Sequence, residues 1–106
     1  MTQVFTGQAA DGVSQPFKYD GGGKALNVYL SNSLGGGTVT LEALLPDGSA
    51  WVSLPGISLT GAGLHVVLER AAPFIGRLRL SGSTSASLDG WVEGDSASAY
   101  RRVLEG

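Results

Sequence analysis

Residues 35–68 read GGGTVTLEALLPDGSAWVSLPGISLTGAGLHVVL. From 38 to 45 the residues alternate, Val39, Leu41, Ala43 and Leu45 on one side and Thr38, Thr40, Glu42 and Leu44 on the other. A strand repeats every two residues, so this segment predicts a half-buried strand with a core face. Pro46, Asp47 and Gly48 then make a turn. Proline presets φ, aspartate bonds its own backbone and glycine accepts positive φ. A second strand over 50–54 completes a β-hairpin with Trp51 near its start, and Pro55 and Gly56 end it.

Outward from this hairpin the same period recurs. A first strand is expected over 4–8, with a turn at Ala10, Asp11 and Gly12. Residues 15–19 place Phe17 and Tyr19 on one face and Lys18 on the other, and Pro16 restricts this strand to an edge or a strand start. Gly21, Gly22 and Gly23 follow Asp20 in a loop. Over 25–31, Leu26, Val28 and Leu30 point inward and Asn27 and Tyr29 outward. Residues 57–60 form a candidate short strand. Leu64, Val66 and Leu68 share one face of a strand, opposite His65, Val67 and Glu69. Over 75–80 Leu78 and Leu80 face the core while Arg77 and Arg79 face out. Over 86–93 Leu88 and Val92 oppose Asp89, Trp91 and Glu93. These segments predict an all-β fold, a single antiparallel β-sandwich of jelly-roll or Ig-like type with about eight or nine short strands.

Residues 1–93 form the predicted sandwich. The pattern lapses in 94–106, GDSASAYRRVLEG, which reads as a short helical turn capped by Asp95 or Ser96, or as an extended arm. Its Tyr100, Val103 and Leu104 need a surface to bury against.

The chain has 106 residues, enough for one core. Charged residues make up only 15%, which suits a surface packed against other proteins. Seven basic and nine acidic residues leave a formal charge of −2, which argues against a dedicated nucleic-acid binder. With no cysteine, disulfides and thiolate zinc sites are excluded. The first residues lack a signal-peptide pattern, and no apolar run approaches the roughly 20 residues of a membrane span.

No catalytic constellation emerges, and no metal or cofactor is expected. His65 has no nucleophile or orienting partner at a legible spacing. Asp11, Asp20, Asp47 and Asp89 mostly sit in turns. The sequence GGGK at 21–24 departs from a phosphate loop in glycine spacing, in Ala25 where Ser or Thr is required, and in the strand that follows. The candidate binding residues are instead the aromatics Tyr29 and Trp91, suited to a protein interface or to stacking on sugars. Trp51 reads equally as core or interface. Arg77 and Arg79, and Arg101 and Arg102, are candidate contacts to acidic patches on a partner.

The order of a glycine-rich turn, TVTLEALLPDGSAW, SLTGAG, an apolar strand and RLRLSGSTSASLDGWV resembles small β-sandwich virion proteins of tailed bacteriophages. The similarity spans roughly residues 22–92. It implies a non-enzymatic capsid decoration or cement protein on the virion surface, assembled in the bacterial host cytoplasm. Its implied partners are the major capsid protein and further copies of itself, a trimer before a dimer, with neither nucleic acid nor membrane. Head-to-tail connector and tail-associated roles are alternatives within the same class, and a carbohydrate-binding module is one outside it. The partner-binding residues are then Tyr29, Trp91, Arg77, Arg79 and, in the arm, Tyr100, Arg101, Arg102, Val103 and Leu104. Removing residues 96–106 should leave the domain folded by circular dichroism but weaken its binding to particles. Unfolding on removal would refute the arm.

Overall fold

A computed structural model describes residues 1–94 as nine strands. They are β1 (Thr2–Gln8), β2 (Gly12–Val13), β3 (Phe17–Tyr19), β4 (Ala25–Ser33), β5 (Thr38–Leu44), β6 (Trp51–Ser53), β7 (Gly63–Glu69), β8 (Phe74–Ser81) and β9 (Ser87–Glu93). One sheet runs β1-β9-β4-β7. The other runs β2-β8-β5-β6, with β3 continuing beside β8.

All pairings are antiparallel; one set of them nests, and two more, β5 with β8 and β4 with β9, cross that set and join its pairs within each sheet. Around the turn at Pro46–Gly48, β5 pairs with β6, β4 with β7, β2 and β3 with β8, and β1 with β9. The first half of the chain thus meets the second half in reverse order, like one long hairpin rolled into two facing layers. That is the jelly-roll solution to closing a sandwich. The turn itself is held by Gly48 N–H to the Leu45 carbonyl (2.8 Å) and Leu45 N–H to the Ala50 carbonyl (2.9 Å). Asp47 Oδ1 accepts from Ser49 N–H at 2.9 Å.

The inward positions of both sheets supply the core. Leu26, Val28, Val39, Leu41, Leu80, Leu88 and Val92 are fully buried, with Phe5, Phe17, Tyr19 and Leu78 beside them. Burial of each large side chain stabilises the fold by about 1.5–3 kcal/mol. Gly90 sits among them because a Cβ there would crowd the Phe5 ring at 3.2 Å. The alternation read from β4, β5, β8 and β9 is the one observed.

Three segments differ from the sequence expectation, each for a local reason. The strand expected over 15–19 begins only at Phe17. Pro16 has no N–H, and Gln15 N–H turns to the Val4 carbonyl of the other sheet (3.0 Å). Ser14 bridges the gap: its Oγ accepts from Leu78 N–H and donates to the Gln15 carbonyl, each at 2.9 Å. The strand expected over 57–60 shrinks to a single bridge, Leu59 with Val39.

The third difference lies in β7. Leu68 pairs with the inward Leu26, but the next partner pair is Val66 with the outward Asn27, so Val67 is an extra residue in the ladder. This β-bulge turns Val67 and Leu68 together onto the core. Leu64 and Val66, expected on the same face as Leu68, emerge on the outside with 56% and 67% exposure.

The 20–24 loop is pinned by Tyr19, whose hydroxyl accepts from Arg70 N–H (3.0 Å) and lies within donating distance of the Lys24 and Arg70 carbonyls. Gly21 adopts φ +70°, and a Cβ on it would lie 2.5 Å from the Ala71 carbonyl oxygen. Gly21→Ala should therefore destabilise by more than about 1 kcal/mol, read as a fall in denaturation midpoint. Leu41→Asp, which buries an unpaired carboxylate, should abolish the cooperative transition altogether.

Candidate interaction surface

With the core positions facing inward, the odd positions of β4 and β9 necessarily face out. Tyr29 of β4 and Trp91 of β9 are direct cross-strand partners. Trp91 is flanked on its other side by Gln3 of β1, and Tyr29 by Leu64 of β7. One row, Gln3, Trp91, Tyr29 and Leu64, therefore crosses all four strands of the sheet. A second row places Glu93, Asn27 and Val66 beside it. The aromatics are half-buried, whereas Leu64 and Val66 are open.

Polar groups fix the middle of this surface. Glu93 Oε1 accepts from Asn27 Nδ2 at 3.0 Å and from the Tyr29 hydroxyl at 3.2 Å. Burial raises the Tyr29 hydroxyl above its ordinary value of 10.0, and the Glu93 charge and hydrogen bond raise it further. The phenol stays protonated and anchored. Asn27 Oδ1 is buried without a hydrogen-bond partner.

Arg77 and Arg79 lie on the outer face of the other sheet, where each meets a partner within the chain. Glu42, their neighbour on β5, is almost fully buried. Arg77 Nε donates to its Oε1 at 2.7 Å, and Arg79 Nε donates to its Oε2 at 2.9 Å. Burial alone would raise the Glu42 carboxyl. The hydrogen bonds from Arg79 and Arg77, and then their charges, outweigh it and hold the carboxyl below its ordinary value. The Arg77 guanidinium also lies 4.2 Å from the centre of the Trp51 ring, a cation–π contact. Trp51 is thus neither core nor free: it covers the ion cluster from the edge strand β6.

The sequence-derived candidates accordingly separate onto two opposite faces. Tyr29 and Trp91 come together on one, and Arg77 and Arg79 are clamped on Glu42 on the other. Tyr100, Arg101, Arg102, Val103 and Leu104 lie outside the described residues. Leu64 and Val66 were missed as surface residues. The run Val66-Val67-Leu68, three apolar residues where alternation demands two, was the available signal.

Other expected roles are local. His65 Nε2 lies 2.8 Å from the Gly61 carbonyl oxygen. The N–H groups of Gly22 and Gly23 donate to the Ala71 and Arg70 carbonyls at 2.8 and 3.1 Å, so this loop's amides are committed within the chain. Asp11 accepts from Gly82 and Ser83 N–H at 3.0 and 2.8 Å, and the Ser83 bonds in particular lower its carboxyl. Among the described residues no three His, Cys, Asp or Glu side chains gather to hold a metal ion. An apolar depression of about 280 Å³ lies between Leu44, Pro46, Pro73 and Phe74, with no titratable group in its lining.

Because the Glu42 carboxyl is depressed in the folded state, it contributes stability above its unfolded value near 4.5. That contribution is lost as pH falls through the folded value. Glu42→Gln should cost about 1–2 kcal/mol at neutral pH, tempered by the exposure of Arg79. It should also flatten the acid limb of a thermal-melting series against pH.

Comparison with known proteins gives no match: no family model, curated protein or solved structure matches the chain.

Proposed function

We propose that this chain is a non-enzymatic structural protein of a virus particle, a capsid decoration protein that binds the assembled lattice of the major capsid protein. The observation that carries the reading is the outward row of Trp91, Tyr29 and Leu64, with Val66 beside it, across an otherwise sparsely charged sheet. Such a row is a flat surface with aromatic anchors, the form expected of a protein-docking face. The jelly-roll topology agrees with the virion resemblance of residues 22–92, as an analogy of fold. On this reading the chain acts at the capsid surface by mass action. A protein that binds only the assembled lattice stabilises it by its binding free energy, and no chemical step is required. A connector or tail position would use the same face on a different neighbour.

One observation favours a second reading, a carbohydrate-binding module. Tyr29 and Trp91 adjoin Asn27 and Glu93, so an aromatic platform lies next to a carboxamide and a carboxylate, the combination that stacks on and hydrogen-bonds a sugar ring.

Co-sedimentation with heads assembled from the major capsid protein of the same genome tests the first reading. The protein should bind and raise their rupture temperature, and Trp91→Ala should weaken binding by about 2 kcal/mol, some thirtyfold. Absence of binding to heads, connectors and tails overturns it. Glycan-array binding that Trp91→Ala abolishes would establish the second reading in its place.

A further inference from the structure

Two layers of sheet leave four edges, and three of them are protected. The β2 and β3 edge is broken into pieces of two and three residues around Pro16, and β6 has three residues. The β1 edge carries two register irregularities. Strand β7 is different. It is seven residues long, and ahead of its bulge, after Gly63 with φ +129°, residues 64–66 pair in regular register and carry no lysine, carboxylate or proline. Its outward side chains Leu64 and Val66 are the exposed apolar pair described above. Edge strands are ordinarily guarded by lysine, proline, an inward charge, short length or a bulge; of these β7 has only the one bulge at Val67, which leaves 64–66 ahead of it.

We infer that this edge is completed by the β7 strand of a second copy of the chain, in an antiparallel pair about a two-fold axis at His65. The occupant follows from self-complementarity. A two-fold at His65 sets Leu64 of each copy opposite Val66 of the other, gathering four apolar side chains on the outward face beside both Tyr29 rings. It also preserves the inward and outward sense of every residue, which a one-residue shift would reverse. The sole charge of the strand, Glu69, lies beyond the bulge and opposes no like charge. The product is a continuous sheet of eight strands ending in β1 on both sides, so the assembly closes at two copies. The symmetry is a dimer, in place of the trimer implied by the virion resemblance. An edge of this length buries less than the roughly 1,200 Å² of a standard stable interface, so the dimer is weak and concentration-dependent.

Sedimentation equilibrium of the free full-length chain tests this without any capsid, so its outcome is separate from that of lattice binding. Between about 10 μM and 1 mM the mass should rise from 10.8 kDa toward twice that value. Val66→Lys and Leu64→Lys, both at open positions and therefore folded by circular dichroism, should weaken association at least tenfold. The chain has no cysteine, so an oxidised mixture of Leu64→Cys and Val66→Cys copies should form more disulfide-linked dimer than either alone, their spacing across a ladder being within disulfide reach. A monomer throughout the range, a trimer, equal association of the Lys variants, or a mixture that cross-links no better than its components overturns the inference. So does a dimer that appears only when residues 95–106 are removed, since the chain's own end would then be the occupant.

Discussion

Nested antiparallel pairing about the turn at Pro46–Gly48 is the constraint on which the remaining structure depends. Outward from β5 and β6, the pairs β4–β7, β2 and β3 with β8, and β1–β9 each enclose the one before, because the partners are ordered in reverse along the chain. The inner hairpin is local. The outermost pair joins Thr2 to Val92, so most of the loop-closure entropy falls on the strands that join last. The alternation that buries Val39 and Leu41 therefore matters twice, for the core itself and for the register of β5 with its two neighbours β6 and β8.

The two outer faces show what a sandwich can do with the positions its core does not use. One face turns inward electrostatically: Glu42 satisfies Arg77 and Arg79, and Trp51 lies over the guanidinium of Arg77. Its charges are directed at each other, in register on adjacent strands. The other face keeps its polar bonds local to Glu93, Asn27 and Tyr29 and leaves aliphatic side chains in water. Exposing Leu64 and Val66 contributes nothing to the stability of the isolated domain. Their placement makes sense as surface for association.

Sequence periodicity was sufficient for the architecture because most strands bury one face cleanly. The inward sets of β4, β5, β8 and β9 were all readable, and so was the outward placing of Tyr29 and Trp91. Reading failed where one residue changes the parity. Val67 is a single insertion, signalled only by the unbroken apolar run Val66-Val67-Leu68, yet it decides that Leu64 and Val66 lie outside. It failed again where partners are distant in sequence. Nothing near Arg77 and Arg79 indicates that Glu42, some 35 residues earlier, stands opposite them, so from sequence they read only as contacts to acidic patches on a partner. Pro16 signalled a strand end, but the substitution of Ser14 Oγ for a missing ladder bond depends on three-dimensional proximity to Leu78. The grouping of the candidate site was thus half legible: its aromatics were, and its aliphatic rim was not.

The pairing of β1 with β9 also sets how the domain responds to mechanical load. Because these strands are antiparallel, Thr2 and Val92 lie at the same end of the ladder. Tension drawn between the two ends of the described chain meets the hydrogen bonds one at a time, in unzipping geometry, and never as a row in shear. Opening that ladder also draws the buried Val4 and Phe5 of β1 out of the core. A load applied through residues 1 and 94 would peel the domain, whereas force spread over the broad faces would be shared by the whole sandwich.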